Sequence, residues 1–184
     1  ARLDRMAGEL AKTVSPVKRT ELNAEALGQY LRQFVKDPLM RYGDRATDGN
    51  SMRWLHQIFE SDGGSCNALT TLGVALGRRA GLRAHAVVIP HHVHLRVIEG
   101  ARGFNVETTS GQVLPDDAYR HFMRGSTCNA YARPLSQREY VATLLSNHFG
   151  YERAERARHA DSVACCDKAI AIFPGYPDAW CNRA

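Results

Sequence analysis

A chain of 184 residues, 44% hydrophobic and 23% charged, has the size and composition of one ordinary soluble domain with a small appendage. No apolar run approaches the ~20 residues of a membrane helix, and Ala1-Arg2-Leu3-Asp4-Arg5 lacks the basic-then-apolar pattern of a signal peptide, so no membrane partner is expected. The net charge of +5 comes from arginines spread along the chain, not from a basic cluster interleaved with aromatics, and nucleic acid is not the expected partner. Five cysteines is an odd number, and none forms a CxxC pair. Cys165 and Cys166 are adjacent and poorly placed to bridge each other. A reducing, cytoplasmic setting fits, with neither a disulfide framework nor a zinc knuckle.

Leu3, Met6, Ala7, Leu10 and Val14 recur at helical spacing over residues 2–14, with Pro16 as the break. A second helix is expected over 21–36 on the stripe Leu22, Leu27, Tyr30, Leu31 and Phe34, closed by Pro38. Both faces are core surface, and residues 1–40 read as N-terminal helices packed on a core. Residues 41–51 are polar and glycine-containing, a loop. Trp54, Leu55, Ile58 and Phe59 form a short helix leading into the turn Asp62-Gly63-Gly64. Ser65 is a good N-cap, and the run Leu69, Leu72, Val74, Leu76 stops at Gly81. Cys66 therefore falls in the first turn of a helix, where unpaired N–H groups and the positive end of the dipole favour the thiolate. Taken alone, such a cysteine is more often a small buried hydrophobe.

Beyond Gly81 the hydrophobic period changes to two. Residues 84–90 read as a strand with Val87 and Ile89 on one face, interrupted by Pro90. In 91–98, Val93, Leu95 and Val97 point one way and His92, His94 and Arg96 the other. In 104–109, Phe104 and Val106 share the apolar face, and Asn105, Glu107 and Thr109 the polar one. Antiparallel pairing must match those faces, so every second register is allowed. A two-residue turn at Glu99-Gly100 sets His92 opposite Glu107 and His94 opposite Asn105; a four-residue loop sets His94 opposite Glu107. In either case an imidazole and a carboxylate meet across the sheet.

Residues 115–124 read as a short helical piece, and the tail from 136 is helical in another style. Gly150, Ala169 and Pro174 stand at positions 8, 27 and 32 of a 34-residue tetratricopeptide frame starting at Thr143, and Trp180 at position 4 of the next repeat. The second repeat stops after eight residues, which suggests a fragment. The expected consequences are a protein partner on these helices and self-association through residues ~165–184.

A cysteine at a helix start, a histidine on a strand and an acid on the next strand are the parts of a cysteine nucleophile, its general base and the group that orients the base. Here the motifs resemble those of the transglutaminase-like superfamily, in particular a bacterial branch whose core is followed by tetratricopeptide repeats. The matching residues are Gly64, Cys66, Leu69 and Gly81; Val88, Pro90 and His92; then Asn105, Val106, Glu107, Thr108, Thr109 and Gly111. The likeness continues through Tyr119 and Arg133-Pro134-Leu135-Ser136 into Glu139 and Asn147. It implies an α+β, papain-like core over 41–135, with the cysteine helix packed on an antiparallel sheet and a tetratricopeptide-like helical pair over 136–184. It also implies a Cys66-His92-Glu107 triad acting on a protein or peptide amide, as a peptidase, amidase, deamidase or transglutaminase, with no cofactor. Two departures are visible: glutamate stands where most relatives carry aspartate, and His91 where glycine is common. Gln57 and Asn67 are candidates for completing an oxyanion hole.

Two other readings compete. His85, His91, His92 and His94 lie close enough in sequence to suggest a zinc or nickel site, but no third ligand stands at a diagnostic spacing. Alternatively, the core is catalytically degenerate and serves as a protein-binding module that presents its helices.

Overall fold

The computed structural model describes residues 2–14, 20–35, 55–60, 64–124, 126, 128–150, 153–154 and 156–184. Helices α1 (Arg2–Ala11), α2 (Thr20–Arg32), α3 (Gln57–Glu60) and α4 (Cys66–Arg79) precede a four-stranded antiparallel meander. Its strands are β1 (Arg83–Ile89), β2 (His92–Glu99), β3 (Arg102–Glu107) and β4 (Gln112–Leu114). A 3-10 turn at Asp116–Tyr119 follows, then α5 (Gln137–Leu144), α6 (His159–Ile172) and α7 (Pro177–Arg183), with a π-helical stretch at Leu145–Gly150 continuing α5. This is a mixed α+β fold with the cysteine-bearing helix on an antiparallel sheet. The breaks at Pro16 and Pro38, the loop at 41–51, Trp54 and the turn at Asp62-Gly63 lie outside the described residues.

Local chemistry sets both ends of α4. Ser65 is extended, and its Oγ accepts from the Ala68 N–H at 3.4 Å. At the other end Gly81 takes φ 87°, while Gly81 N and Leu82 N donate to the carbonyls of Arg78 and Gly77. That is a Schellman closure, which calls for a left-handed residue. Between the ends, Leu69, Leu72 and Leu76 are fully buried with Leu95, Val97 and Val106 of the sheet and Leu10, Leu27 and Leu31 of α1 and α2. Each such leucine contributes about 1.5–3 kcal/mol relative to exposure. A second cluster joins Ala86, Val88 and Val93 to Tyr140, Ala169, Phe173 and Tyr176 of the C-terminal helices.

Several expectations need correction. Leu22 is 50% exposed, and the buried stripe of α2 is Ala24, Leu27 and Leu31; a five-residue step from Leu22 to Leu27 turns roughly 140° around a helix and leaves the stripe. β1 has two buried faces. Ala84, Ala86 and Val88 belong to the helix-facing clusters, whereas Val87 and Ile89 pair directly with His94 and His92. The histidine face is accordingly no solvated surface. Residues 132–135 cover the outer edge of β1, with Ala132 N and Leu135 N donating to the carbonyls of Val88 and Ala86. The piece at 115–124 is helical only at Asp116–Tyr119, and β4 adds a strand that the alternation at 104–109 did not reveal.

The β2–β3 register pairs Leu95 with Val106 and Glu99 with Arg102, which extrapolates to His94 opposite Glu107. The connection is nonetheless two residues long, Gly100-Ala101, shifted by one from the expected turn. Gly100 at φ 56° takes the first position, where a type II′ turn asks for glycine, and Glu99 is spared a left-handed backbone. At the β1–β2 hairpin the turn is Pro90-His91, with His91 at φ 62°. Proline followed by a left-handed residue is the order of a type II turn, which explains why glycine suits position 91.

α2 reaches the β3–β4 turn by a backbone-to-backbone approach. A Cβ on Gly28 would stand 2.3 Å from the Gly111 carbonyl oxygen, and Gly111 itself has φ 73°. Arg32 Nη1 donates to Ser110 O at 2.8 Å in the same contact. Gly28→Ala is therefore expected to destabilise the protein by about 1–3 kcal/mol through overpacking. Gly8→Ala, at an exposed helical site with nothing within 4 Å of the added carbon, is expected to stabilise it by up to about 1 kcal/mol. Chemical denaturation of the two variants checks both signs.

Candidate active site

Cys66 is the first residue of α4 and His92 the first of β2, and they meet where the helix start faces the Pro90-His91 hairpin. The His92 ring and the Cys66 thiol line the same cleft and are close enough to interact electrostatically. His92 Nε2 contacts Glu107 Oε2 at 2.7 Å, with side-chain exposures of 6% and 12%. This contact is diagonal across the β2–β3 pair. Direct pairing puts His94 opposite Glu107, yet a glutamate side chain spans the diagonal distance of ~7–8 Å between such positions. The expectation that register would select the histidine fails here, while the His92–Glu107 pairing itself is present.

Glu107 is held from several sides. Thr109 donates to Oε1 through its backbone N–H at 3.0 Å and its hydroxyl at 2.6 Å, and the Tyr119 hydroxyl donates to Oε2 at 3.1 Å. Burial pushes the carboxyl pKa up, but His92 and Thr109 outweigh it and bring it down to about 2. Burial likewise pulls His92 down, against the hydrogen bonds to Cys66 and Glu107, which lift it to about 10. Tyr119 is placed from the sheet: Arg96 and Asn105 bind Asp116, the first residue of its 3-10 turn, with Arg96 Nη1 also donating to Asn105 Oδ1 at 2.7 Å. Burial, then the nearby Glu107 charge, raises the Tyr119 pKa and keeps it a donor.

His94 is different in kind. It is 2% exposed, its ring lies flat on Tyr119 at 4.0 Å between centroids, and its Nδ1 has no hydrogen-bond partner. Burial and then the neighbouring His92 charge lower its pKa to about 4, so it stays neutral at ordinary pH. His85 Nδ1 lies 3.1 Å from Leu135 O. Among the described residues no group of three His, Cys, Asp or Glu side chains is placed to hold a metal ion.

A cleft of about 480 Å³ lies over Cys66. Asn67 lines it, whereas the Gln57 side chain lies outside what is described. Asn147, Asp178 and Asn182 from the C-terminal helices also line it; Asn147 entered the motif match without a role, and reading the sequence did not find Asp178 or Asn182. Nothing local marks them, because their place depends on how the tail packs back. Thr109 and Tyr119 entered the motif match without a role; a threonine two residues after a carboxylate, able to bond it locally, was a signal for the first.

The group that governs acid stability here is His94. Its folded pKa lies below the unfolded value of 6.5, so the unfolded chain binds the extra proton and stability falls as pH drops from 6.5 toward about 4. Glu107, also depressed, adds a loss as pH falls from 4.5 through about 2. The slope from one proton is at most about 1.4 kcal/mol per pH unit. His92, raised to about 10, works the other way and offsets His94 above about pH 6.5, so denaturation midpoints are expected to decline between pH 6 and 4, and less steeply in His94→Gln.

The sequence pattern of the transglutaminase-like superfamily matches residues 1–146, a span running from α1 through α4, the whole sheet and α5. Comparison with curated proteins and with solved structures gives no match. No helix among the described residues is long and apolar enough to cross a membrane. With well over half of its length matched, the chain belongs to the transglutaminase-like superfamily.

Proposed function

We propose that this protein is a thiol acyl-transfer enzyme acting on an amide bond, with Cys66 as nucleophile, His92 as general base and acid, and Glu107 as the group that orients and charges the imidazole. The observation that carries the reading is the His92 ring, which shares one cleft with Cys66 and is bonded to a Glu107 carboxylate that is itself fixed by Thr109 and Tyr119. Glu107 occupies Nε2, so Nδ1 serves the thiol. The proton shared by the pair sits on His92, and Cys66 Sγ attacks the amide carbonyl carbon as the thiolate of that ion pair. The oxyanion forms beside the backbone N–H groups that open α4, with Asn67 in the same cleft. As the C–N bond breaks, His92 returns the proton to the leaving amine and an acyl-thioester remains. Water or a second amine then takes the acyl group, its proton passing to His92 as the thiolate leaves. Peptidase, amidase, deamidase and transglutaminase all share this thioester.

The finer placement is a bacterial branch with a core over 41–135 and tetratricopeptide-like helices over 136–184. A Cβ on Gly150 would lie 3.1 Å from Cys166 Sγ, a close helix crossing, Ala169 is fully buried, and Trp180 Nε1 donates to Pro174 O at 2.9 Å. Those features support a repeat-like pair. The second reading, a protein-binding module on a degenerate core, draws on the exposure of Trp180 (53%) and Val141 (49%), an apolar surface for a partner or a second copy. The enzyme reading accounts for more, because a module needs no charged imidazole beside a thiol.

Alkylation of Cys66 by iodoacetamide, followed across pH by mass spectrometry, tests the proposal. Cys66 is expected to react faster than free cysteine below pH 8. His92→Ala removes that advantage, by roughly 10²-fold or more, and Glu107→Gln removes part of it. His94→Gln keeps most of it. Equal rates in wild type and His92→Ala would sink the triad.

A further inference from the structure

The cleft over Cys66 has two walls of different origin. The hairpin and α4 give one; Tyr131 with Asn147, Asp178 and Asn182 gives the other. Among the described residues that line the cleft, Asp178 is the one carboxylate and there is no lysine or arginine. Three neutral donors fix it: the Tyr131 hydroxyl on Oδ1, the Tyr176 hydroxyl on Oδ2 at 2.8 Å and Asn147 Nδ2 on Oδ2 at 3.3 Å. Burial, then the Asp178 charge and hydrogen bond, raises both tyrosine pKa values, so they stay donors. Asn147 is in turn held by Asn182 Nδ2, at 3.1 Å from its Oδ1. These donors aim the carboxylate without cancelling its charge, and among the described residues it has no cationic partner. His92 shares the cleft, but its charge is matched by the Glu107 carboxylate bonded to it. A chain of net charge +5 thus presents a negative cleft at its reactive thiol.

We infer that Asp178 is the specificity-determining residue of this cleft and receives an ammonium group carried by the substrate. The inference rests on Cys66 being the nucleophile. A fixed carboxylate raises the local concentration of a cation and repels an anion of the same size, and the contrast is greatest where no counter-charge shares the site. The substrate class is an amide bearing a primary ammonium, on the acyl donor or on the acyl acceptor. An anionic acyl chain is disfavoured by the same charge.

The test uses the full chain, wild type and Asp178→Asn, with methanethiosulfonates carrying a 2-aminoethyl cation, a neutral ethyl group or a 2-sulfonatoethyl anion. Initial modification of Cys66 is followed by site-resolved mass spectrometry and scaled to free cysteine. Wild type is expected to prefer the cation over the neutral reagent by about tenfold and to disfavour the anion. Salt of about 0.5 M erases the preference without any substitution. Asp178→Asn brings the ratio of cation to neutral rate close to one. A wild type without preference, a preference that salt does not touch, or one that Asp178→Asn retains, overturns the inference. Failure of the enzyme reading looks different: the neutral reagent then reacts at Cys66 no faster than with free cysteine, and the inference falls with it. A second arm acetylates Cys66 with neutral p-nitrophenyl acetate and compares transfer to water with transfer to 1,2-diaminoethane. Slowing of the diamine transfer alone in Asp178→Asn assigns the ammonium to the acceptor; no slowing assigns it to the donor.

Discussion

A carboxylate withdrawn from water is the constraint from which much of this molecule follows. Glu107 loses several kcal/mol of hydration on burial, and only donors placed in advance recover it. The chain supplies them from three places: its own next-but-one residue Thr109, the tyrosine of a 3-10 turn, and an imidazole on the neighbouring strand, with the turn itself tethered to Arg96 and Asn105. The segment after β4 is therefore tied to the inside of the sheet by polar bonds. Its apolar content is small, and without Asp116 and Tyr119 little would determine where it lies.

A second requirement is that the helix start and the strand start keep their separation. Thr70, one turn along from Cys66, is fully buried; its hydroxyl lies 3.4 Å from the Val93 carbonyl and 3.2 Å from the Thr108 hydroxyl. From the other side the Tyr140 hydroxyl bonds Thr71 Oγ1 at 2.9 Å and Asn67 O at 3.3 Å. Hydrophobic packing is non-directional and tolerates small slides of a helix over a sheet; these short polar links do not. They pin α4 in register with β2 and with the turn that follows Glu107. α2 adds the third support, since the Gly28–Gly111 approach presses that turn against the sheet.

Much of this was legible before any coordinates. Ser65 and Gly81 bound α4 because caps act through the backbone of their own neighbours, and the alternation in 92–97 marked the apolar face of β2 correctly. Leu22 was misplaced because it is apolar without being in phase. β1 was read on one face only, for another reason: a strand buried on both faces carries no alternation to read. The register argument failed most usefully. It treated a cross-strand pair as the only way two side chains meet, and the length of a glutamate made the diagonal the answer. His92 and His94 are indistinguishable by pattern, yet one is charged by its neighbours and the other kept neutral by an aromatic stack and burial. That difference belongs to tertiary surroundings and has no local signature. The far wall of the cleft was invisible for the same reason.

That far wall has a consequence for how the molecule comes into being. A chain is made from its N-terminus, so Cys66 and the sheet emerge well before Asn147 and Asp178 are linked. Contacts of such long sequence separation form late, after the local helices and hairpins. During synthesis the thiol therefore passes through a period in which its helix and its imidazole partner can assemble while one side of the cleft is still open to water. Whatever selectivity the finished cleft has is absent in that interval. The helix start with its imidazole and the far wall of the cleft are acquired in that order, separated by the time the ribosome needs to deliver residues 147–178.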